Sequence, residues 1–528
     1  MLKYKIWHAA LWLGFSLPLS AGTPQTVAQA VLDRLYEANG NYQIKKPKLI
    51  ISPENKKVAA YSPWKNAIVL DEKAYRICQS YGRDSLSALA YILGHELVHA
   101  YQSQMKGQGL KTNFLAYDHG YKSDIRTEKV ADIQGLFNAY LAGYGVLKTM
   151  PAVIEQVYRE YGLMGKILAG YPSLEERKAG ALEVQAIAQN LCDIFESCNY
   201  LLAIGQTGLV CSGYEYILRF YQGREIYNNL GVAYTLSAQQ FWHPQLDQYI
   251  YPVEADWFTK LSRMAAARGQ EQIDPTVEPL RLAFLDKAIA HFTEAARLDP
   301  GYLPARINTL CAMNMKGSTV AALKYAEINL QQYTQGKKKR KGQELDMIEI
   351  ALGITYALQP GGARKADANA IFSRLSNSPN VLSALYARQN VQSLRGETES
   401  GILTEMPLPE SFRQMAAQMQ LGRTGNMDRI DLDEKAGIRF AQQQGPGSAT
   451  VVFSNATGNL ISLLRFPNRL APDVTVLPPQ EDLAHAAYRN MVAAKDGFYL
   501  KSVRDKVVLK VDARGRVLEM VKYVEHGQ

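Results

Sequence analysis

The segment His95-Glu96-Leu97-Val98-His99 constrains this 528-residue chain more than any other, because it lies inside a long helical pattern. Leu86, Leu89, Ala90, Leu93, Leu97 and Val98 recur at helical spacing, no proline interrupts them, and Asp84 and Ser85 stand where an N-cap is expected. On such a helix positions i and i+4 share a face, so both imidazoles can reach one metal ion while Glu96 stands beside it. The chain has only eight histidines, which makes a chance match to this spacing rare. The pattern predicts a hydrolytic zinc (Zn2+) site. The metzincin continuation, with a glycine and a third histidine downstream, is excluded by Gln102 and Met105.

Such a site needs a third protein ligand and leaves a fourth position open. Residues Arg126 to Tyr140 read as a second helix, and Glu128 and Asp132 fall on one face of it at i, i+4. One carboxylate can bind metal while the other orients a ligand histidine. Asp118, His119 and Asp124 are rival third ligands, but none has the i, i+4 carboxylate partner together with the Ala-Asp context of Glu128. Zinc would lower the pKa of a bound water toward 7 and polarise a carbonyl, with Glu96 as the general base, so peptide hydrolysis is the expected reaction. An oxyanion donor is also expected, and His119, Tyr140 and Tyr144 are the candidates.

The pair His95-Glu96-x-x-His99 and Glu128-x-x-Ala131-Asp132 resembles the gluzincin arrangement of the M48-type zinc metallopeptidases, over about residues 45–145. The resemblance implies His95, His99 and Glu128 as metal ligands, Glu96 as catalytic base, and Asp132 as hydrogen-bond partner of a ligand histidine. It implies a zincin-like fold as well, in which a small sheet lies beside the active-site helix and its edge strand pairs with an extended peptide. Pro47 to Ser52 and Asn66 to Leu70 are the apolar runs that read as its strands.

The first residues, Met1-Leu-Lys3-Tyr-Lys5 and then Ile6 to Ala21, form a basic segment followed by an apolar one that ends in small residues. This reads as a signal peptide over 1–21, cleaved near Ala21, and places the mature chain in a periplasm or outside the cell with no transmembrane anchor. Cleavage removes Lys3 and Lys5, so the formal charge of +9 falls by two to +7. That is moderately basic, and nucleic-acid binding is not expected of an exported chain. Lys337 to Lys341 is the one dense basic run and reads as a solvated connection. Five cysteines make a poor disulfide framework, although Cys192 and Cys198 could bridge if a helix broke between them.

After the first 200 residues the pattern changes. Tyr227-x-x-Leu230-Gly231-x-x-Tyr234 with Ala288-x-x-x-Phe292 and Pro300 is matched by Leu352-Gly353-x-x-Tyr356 with Ala368-x-x-x-Phe372 and Pro379. This resembles the tetratricopeptide repeat, in which small residues let two helices approach and aromatics fill the hole between them. Residues 304–333 read as a degenerate pair between the two. From about Gly401, short apolar runs at 450–454, 460–464, 497–501, 507–511 and 517–521 read as strands, and Glu481 to Val492 reads as a helix.

The expected chain is therefore multidomain and mainly α. A zincin-like α+β metallopeptidase domain spans 22–200, tetratricopeptide-like helical repeats span 201–400 with an insertion near 239–280, and a small α+β C-terminal domain spans 401–528. The leading expectation is an exported zinc endopeptidase for unfolded or misassembled proteins, similar to periplasmic quality-control proteases, with the repeats holding protein substrates or envelope assembly partners. The alternative is a periplasmic chaperone or assembly scaffold with a latent zinc site.

Overall fold

The computed structural model describes residues 22–54, 57–107, 123–163, 174–253, 274–397, 410–419, 427, 429–445, 448–467, 488–489, 497–502, 504–512 and 516–526. The signal segment expected over 1–21, Asp118, His119 and the Trp257-Phe258 part of the insertion lie outside the described residues. The chain is mainly helical, with a separate antiparallel sheet toward its C-terminus. It divides into two units, one of Met1–Cys192 with Arg219–Tyr221 and one of Asp193–Leu218 with Gln222–Gln528. The helices expected to form repeats and the terminal sheet fall in the same unit.

The first unit opens with α1 (Pro24–Asn39), started by the Thr23 side chain accepting from Thr26 N–H and by Pro24 in the first turn, and stopped by Gly40 at φ 66°. Three strands follow, β1 (Lys48–Ser52), β2 (Ala59–Ser62) and β3 (Ala67–Asp71). They form one sheet in the order β1-β3-β2, with β1 parallel and β2 antiparallel to β3. The run Ala67-Ile-Val-Leu70 takes the centre because it is the most apolar of the three, and Ala67, Ile68 and Leu70 are fully buried. Strand β2 is left at the edge.

Next come α2 (Glu72–Gln79) and the long α3 (Ser85–Gly107), joined by a short 3-10 turn at Gly82–Asp84. The helical pattern read from the sequence becomes the buried face of α3, where Leu89, Ala90, Leu93, Leu97 and Val98 are inaccessible or nearly so. That face packs on α1, β2 and β3, on α4 (Ser123–Leu141) and on α5 (Val146–Glu160). The crossing of α3 and α4 is set by two glycines. A Cβ on Gly135 would stand 2.9 Å from Gly94 C and His95 N, and one on Gly94 would stand 3.0 Å from Gly135 O. Only bare backbone fits there.

The helix α6 (Leu174–Ala203) runs through the boundary between the units, and Cys192 and Cys198 sit within it without a break. The condition for a disulfide between them is not met, and all five cysteines are buried.

In the second unit α7 (Thr207–Leu218), α8 (Arg224–Ala238), α9 (Glu278–Leu298), α10 (Leu303–Met315), α11 (Thr319–Asn329), α12 (Gln343–Ala357), α13 (Lys365–Leu375) and α14 (Val381–Arg395) pack mainly on their neighbours in sequence. Two pairs share one contact. A Cβ on Gly231 of α8 would lie 2.5 Å from the Phe292 ring of α9, and one on Gly353 of α12 would lie 2.6 Å from the Phe372 ring of α13. Both rings are fully buried. Helices α10 and α11 occupy the stretch read as a degenerate pair, and the basic run at 337–341 lies between α11 and α12. The described start of the insertion is fixed by a buried pair, Arg281 to Asp247 at 2.9 Å, and by Asn390, which accepts from Ile250 N–H at 2.7 Å.

The remaining elements are α15 (Glu410–Gln418) and strands β4 (Arg429–Asp433), β5 (Ile438–Gly445), β6 (Ser448–Asn455), β7 (Gly458–Pro467), β8 (Tyr488–Arg489), β9 (Gly497–Ser502), β10 (Val507–Asp512) and β11 (Val517–Glu525). They form one sheet in the order β4-β5-β6-β7-β11-β10-β9-β8, antiparallel throughout. Strand alternation sorts its two faces. Leu464, Leu509 and Met520 pack against Phe412 and Ala416 of α15. On the other face Arg465 pairs with Glu519 at 3.0 Å and with Asp193 of α6 at 3.5 Å, and Lys510 with Glu196 of α6 at 2.6 Å. The helix expected over 481–492 is corrected in part: Tyr488 and Arg489 within it pair as a strand with Tyr499 and Phe498.

Candidate metal centre

Helix α3 presents His95 and His99 on one face, and α4 presents Glu128 and Asp132 toward them. The two Nε2 atoms are 3.0 Å apart. Glu128 spans them, with one oxygen 3.2 Å from His95 Nε2 and the other 3.3 Å from His99 Nε2. A tetrahedral ion with bonds of about 2.0 Å holds its donor atoms about 3.3 Å apart, close to the separation of each imidazole from its own Glu128 oxygen. Among the described residues, this is the one group of three potential donors gathered within 4.8 Å.

The outer nitrogens are committed elsewhere. His95 Nδ1 is 2.7 Å from Asp132 Oδ1, and His99 Nδ1 is 3.2 Å from Gln102 Oε1. With Nδ1–H donating to these oxygens, both Nε2 lone pairs point at the shared centre. Asp132 is only 2% exposed and also accepts from the Tyr91 hydroxyl at 3.3 Å, so its carboxylate is fixed from two sides. Tyr91 precedes His95 by one helical turn, and Gln102 follows His99 by nearly one.

Electrostatics follow from this arrangement. Burial opposes protonation of His95, but the charge of Asp132, the hydrogen bonds His95 donates to Asp132 and Glu128, and the charge of Glu96 outweigh it, and its pKa is pushed up to about 10. Burial likewise opposes ionisation of Glu128, yet the two histidines hold its carboxyl well below the usual range. Without a metal the cluster is thus a protonated His95 between two carboxylates. A cation at the centre would replace that proton.

Glu96 is buried beside the histidines. Its Oε2 accepts from the backbone N–H of Tyr61 at 2.8 Å. Tyr61 lies on β2, the edge strand, so this N–H is one that β3 does not use. No protein family, curated protein or solved structure matches this chain.

Five residues singled out by spacing, His95, Glu96, His99, Glu128 and Asp132, therefore converge at one place. Of the rivals, Asp124 lies in the first turn of α4 but its side chain is outside those described. Of the candidate oxyanion donors, Tyr140 stacks on Phe137 and Tyr144 lies under the Arg34 guanidinium. Tyr61, Tyr91 and Gln102 were not signalled by the sequence reading.

Proposed function

We propose that this protein is an exported zinc endopeptidase of the M48 type, acting on unfolded or misassembled proteins. The observation that carries this reading is the meeting of His95 Nε2, His99 Nε2 and the Glu128 carboxylate at one place, with a second carboxyl, Glu96, next to His95 in the chain. Four protein donors would close a structural site, whereas three donors with an acid alongside leave room for a reacting group. Zinc held there would supply Lewis acidity to the attacking water and the scissile carbonyl.

The chain's own residues do the rest. Asp132 and Gln102 hold the two imidazoles in the tautomer that presents Nε2. Glu96 takes the proton of the attacking water and passes it to the leaving amine. The edge strand β2 offers backbone groups to an extended segment, which gives cleavage with little dependence on side chains. Helices α7 to α14 act as tetratricopeptide-like repeats that hold protein substrates or envelope assembly partners. The repeated Gly231–Phe292 and Gly353–Phe372 contacts support that reading of them.

One observation favours a second reading. The Tyr61 N–H bound to Glu96 occupies both a strand edge and the general base, as a latent site in a periplasmic chaperone or scaffold would. The experiment that separates the two is cleavage of an unfolded protein by the zinc-loaded parent and by Glu96→Gln. A protease loses cleavage in the variant while keeping its zinc, and a scaffold cleaves in neither form.

A further inference from the structure

At the turn between β2 and β3, Trp64 is 98% exposed, the most exposed large apolar side chain among the described residues. A projecting indole in water forgoes the largest apolar burial any side chain offers. The chain nevertheless holds this turn rigidly. Asn66 adopts the left-handed region at φ 42°, its N–H donates to Pro63 O at 3.2 Å, and its carbonyl accepts from Lys48 N–H at 2.9 Å. The Asn66 side-chain oxygen accepts from the Tyr61 hydroxyl at 3.0 Å and from Gln104 Nε2 at 3.1 Å. Its amide reaches the carbonyls of Lys45 and Lys46, and Gln104 closes on the backbone of Lys45 at 3.0 and 2.9 Å. The turn and residues 45–48 are one fixed corner.

That corner is basic. Residues 45–66 contain six lysines and a single carboxylate, Glu54. Lys45, Lys46, Lys48 and Lys65 are all exposed; Lys46 is shared with Asp33 at 2.8 Å, which leaves three charges for a ligand. Tryptophan favours the boundary between headgroups and acyl chains, and lysines beside it meet anionic headgroups. We propose that this corner docks on an anionic lipid bilayer, with the Trp64 indole inserted at the headgroup boundary and Lys45, Lys48 and Lys65 against the headgroups. A lone indole projecting from a turn, in a corner with exposed lysines, suits a fluid, charged surface. Tyr61, three residues from Trp64, donates to Glu96, so docking brings the candidate centre to the membrane surface. The proposal stands whether or not that centre is catalytic.

The test is sedimentation of the purified protein with phosphatidylglycerol-containing vesicles and with pure phosphatidylcholine vesicles. It is run on the parent, on Trp64→Ala and on a variant with Lys45, Lys48 and Lys65 replaced by glutamine. The parent should prefer the anionic vesicles and release them at high salt. Trp64→Ala should weaken binding about tenfold, and each lysine removed should weaken it about fivefold. Residues 1–21 are common to all three proteins, so differences between them report the corner alone. Trp64 fluorescence, taken as parent minus Trp64→Ala, should be quenched by acyl-brominated lipid, and both variants should melt as the parent does. Equal binding by all three proteins, no preference for anionic vesicles, or an unquenched Trp64 would each overturn the proposal.

Discussion

At the candidate centre each imidazole is aimed by a hydrogen bond at its outer nitrogen. Asp132 acts on His95 and Gln102 on His99, and the more buried of these two bonds is the one to Asp132. Replacing Asp132 with asparagine removes the charge but keeps the shape. On the proposed reading, zinc affinity measured by chelator competition falls about 10–100-fold; unchanged affinity would remove Asp132 from this role. The same cluster sets a pH dependence. His95 titrates near 10 in the metal-free fold against about 6.5 when unfolded, so its stabilisation is complete below about pH 6.5 and is lost as pH rises toward 10. Glu128 is shifted the other way, and its stabilisation is present above about pH 4.3 and lost as pH falls through its lowered folded value. The metal-free protein gains most from the cluster between those limits, and zinc added at neutral pH must expel the His95 proton. A pH-stat titration should record proton release on zinc addition, and its absence would contradict the arrangement. The histidines and both carboxylates were legible because i, i+4 spacing on a helix is a statement about faces. Tyr91 and Gln102 stand at similar spacings but are residue types with too many other uses to signal a role. Tyr61 reaches Glu96 from a strand 35 positions away, and only tertiary structure could bring it there.

Among elements, close approach between helices is governed by glycine in two distinct settings. Gly94 and Gly135 let the backbones of α3 and α4 touch beside His95, whereas Gly353 accepts the Phe372 ring. An alanine at either position overpacks its contact by about 1–3 kcal/mol, more than the roughly 1 kcal/mol it gains over glycine in a helix. Gly135→Ala should lower both the melting temperature and zinc affinity, because backbone at His95 must move. Gly353→Ala should lower stability alone. Equal zinc affinity in the two variants would show that the α3–α4 crossing does not set the centre. The main helices and the apolar strands were readable from periodicity. Strand β2 was not, since Ala59-Ala-Tyr-Ser62 is short and lacks the alternation that marks a half-buried strand. In β5 the outer half is Gln442-Gln-Gln444, which carries no apolar signal although the residues pair in register with β6. The helical reading of 481–492 is overridden at Tyr488 and Arg489 by pairing with β9.

For the whole molecule, the first unit carries the candidate centre and the second carries the helix pairs and the large sheet. Within the second unit, Arg465, Lys510 and Glu519 meet Asp193, Glu196 and Tyr200 of α6 from strands far along the chain. Contacts so distant along the chain leave no local pattern in the sequence. Among the described residues no helix is long and apolar enough to cross a membrane. In the proposed function the first unit cuts and the helix pairs hold, and both rest on hydrolysis at the candidate centre. The most direct measurement is degradation of an unfolded test protein by the purified chain with zinc, beside Glu96→Gln at equal zinc content. The account predicts fragments from the parent and none from the variant; an uncut substrate in both, with zinc bound, would contradict it.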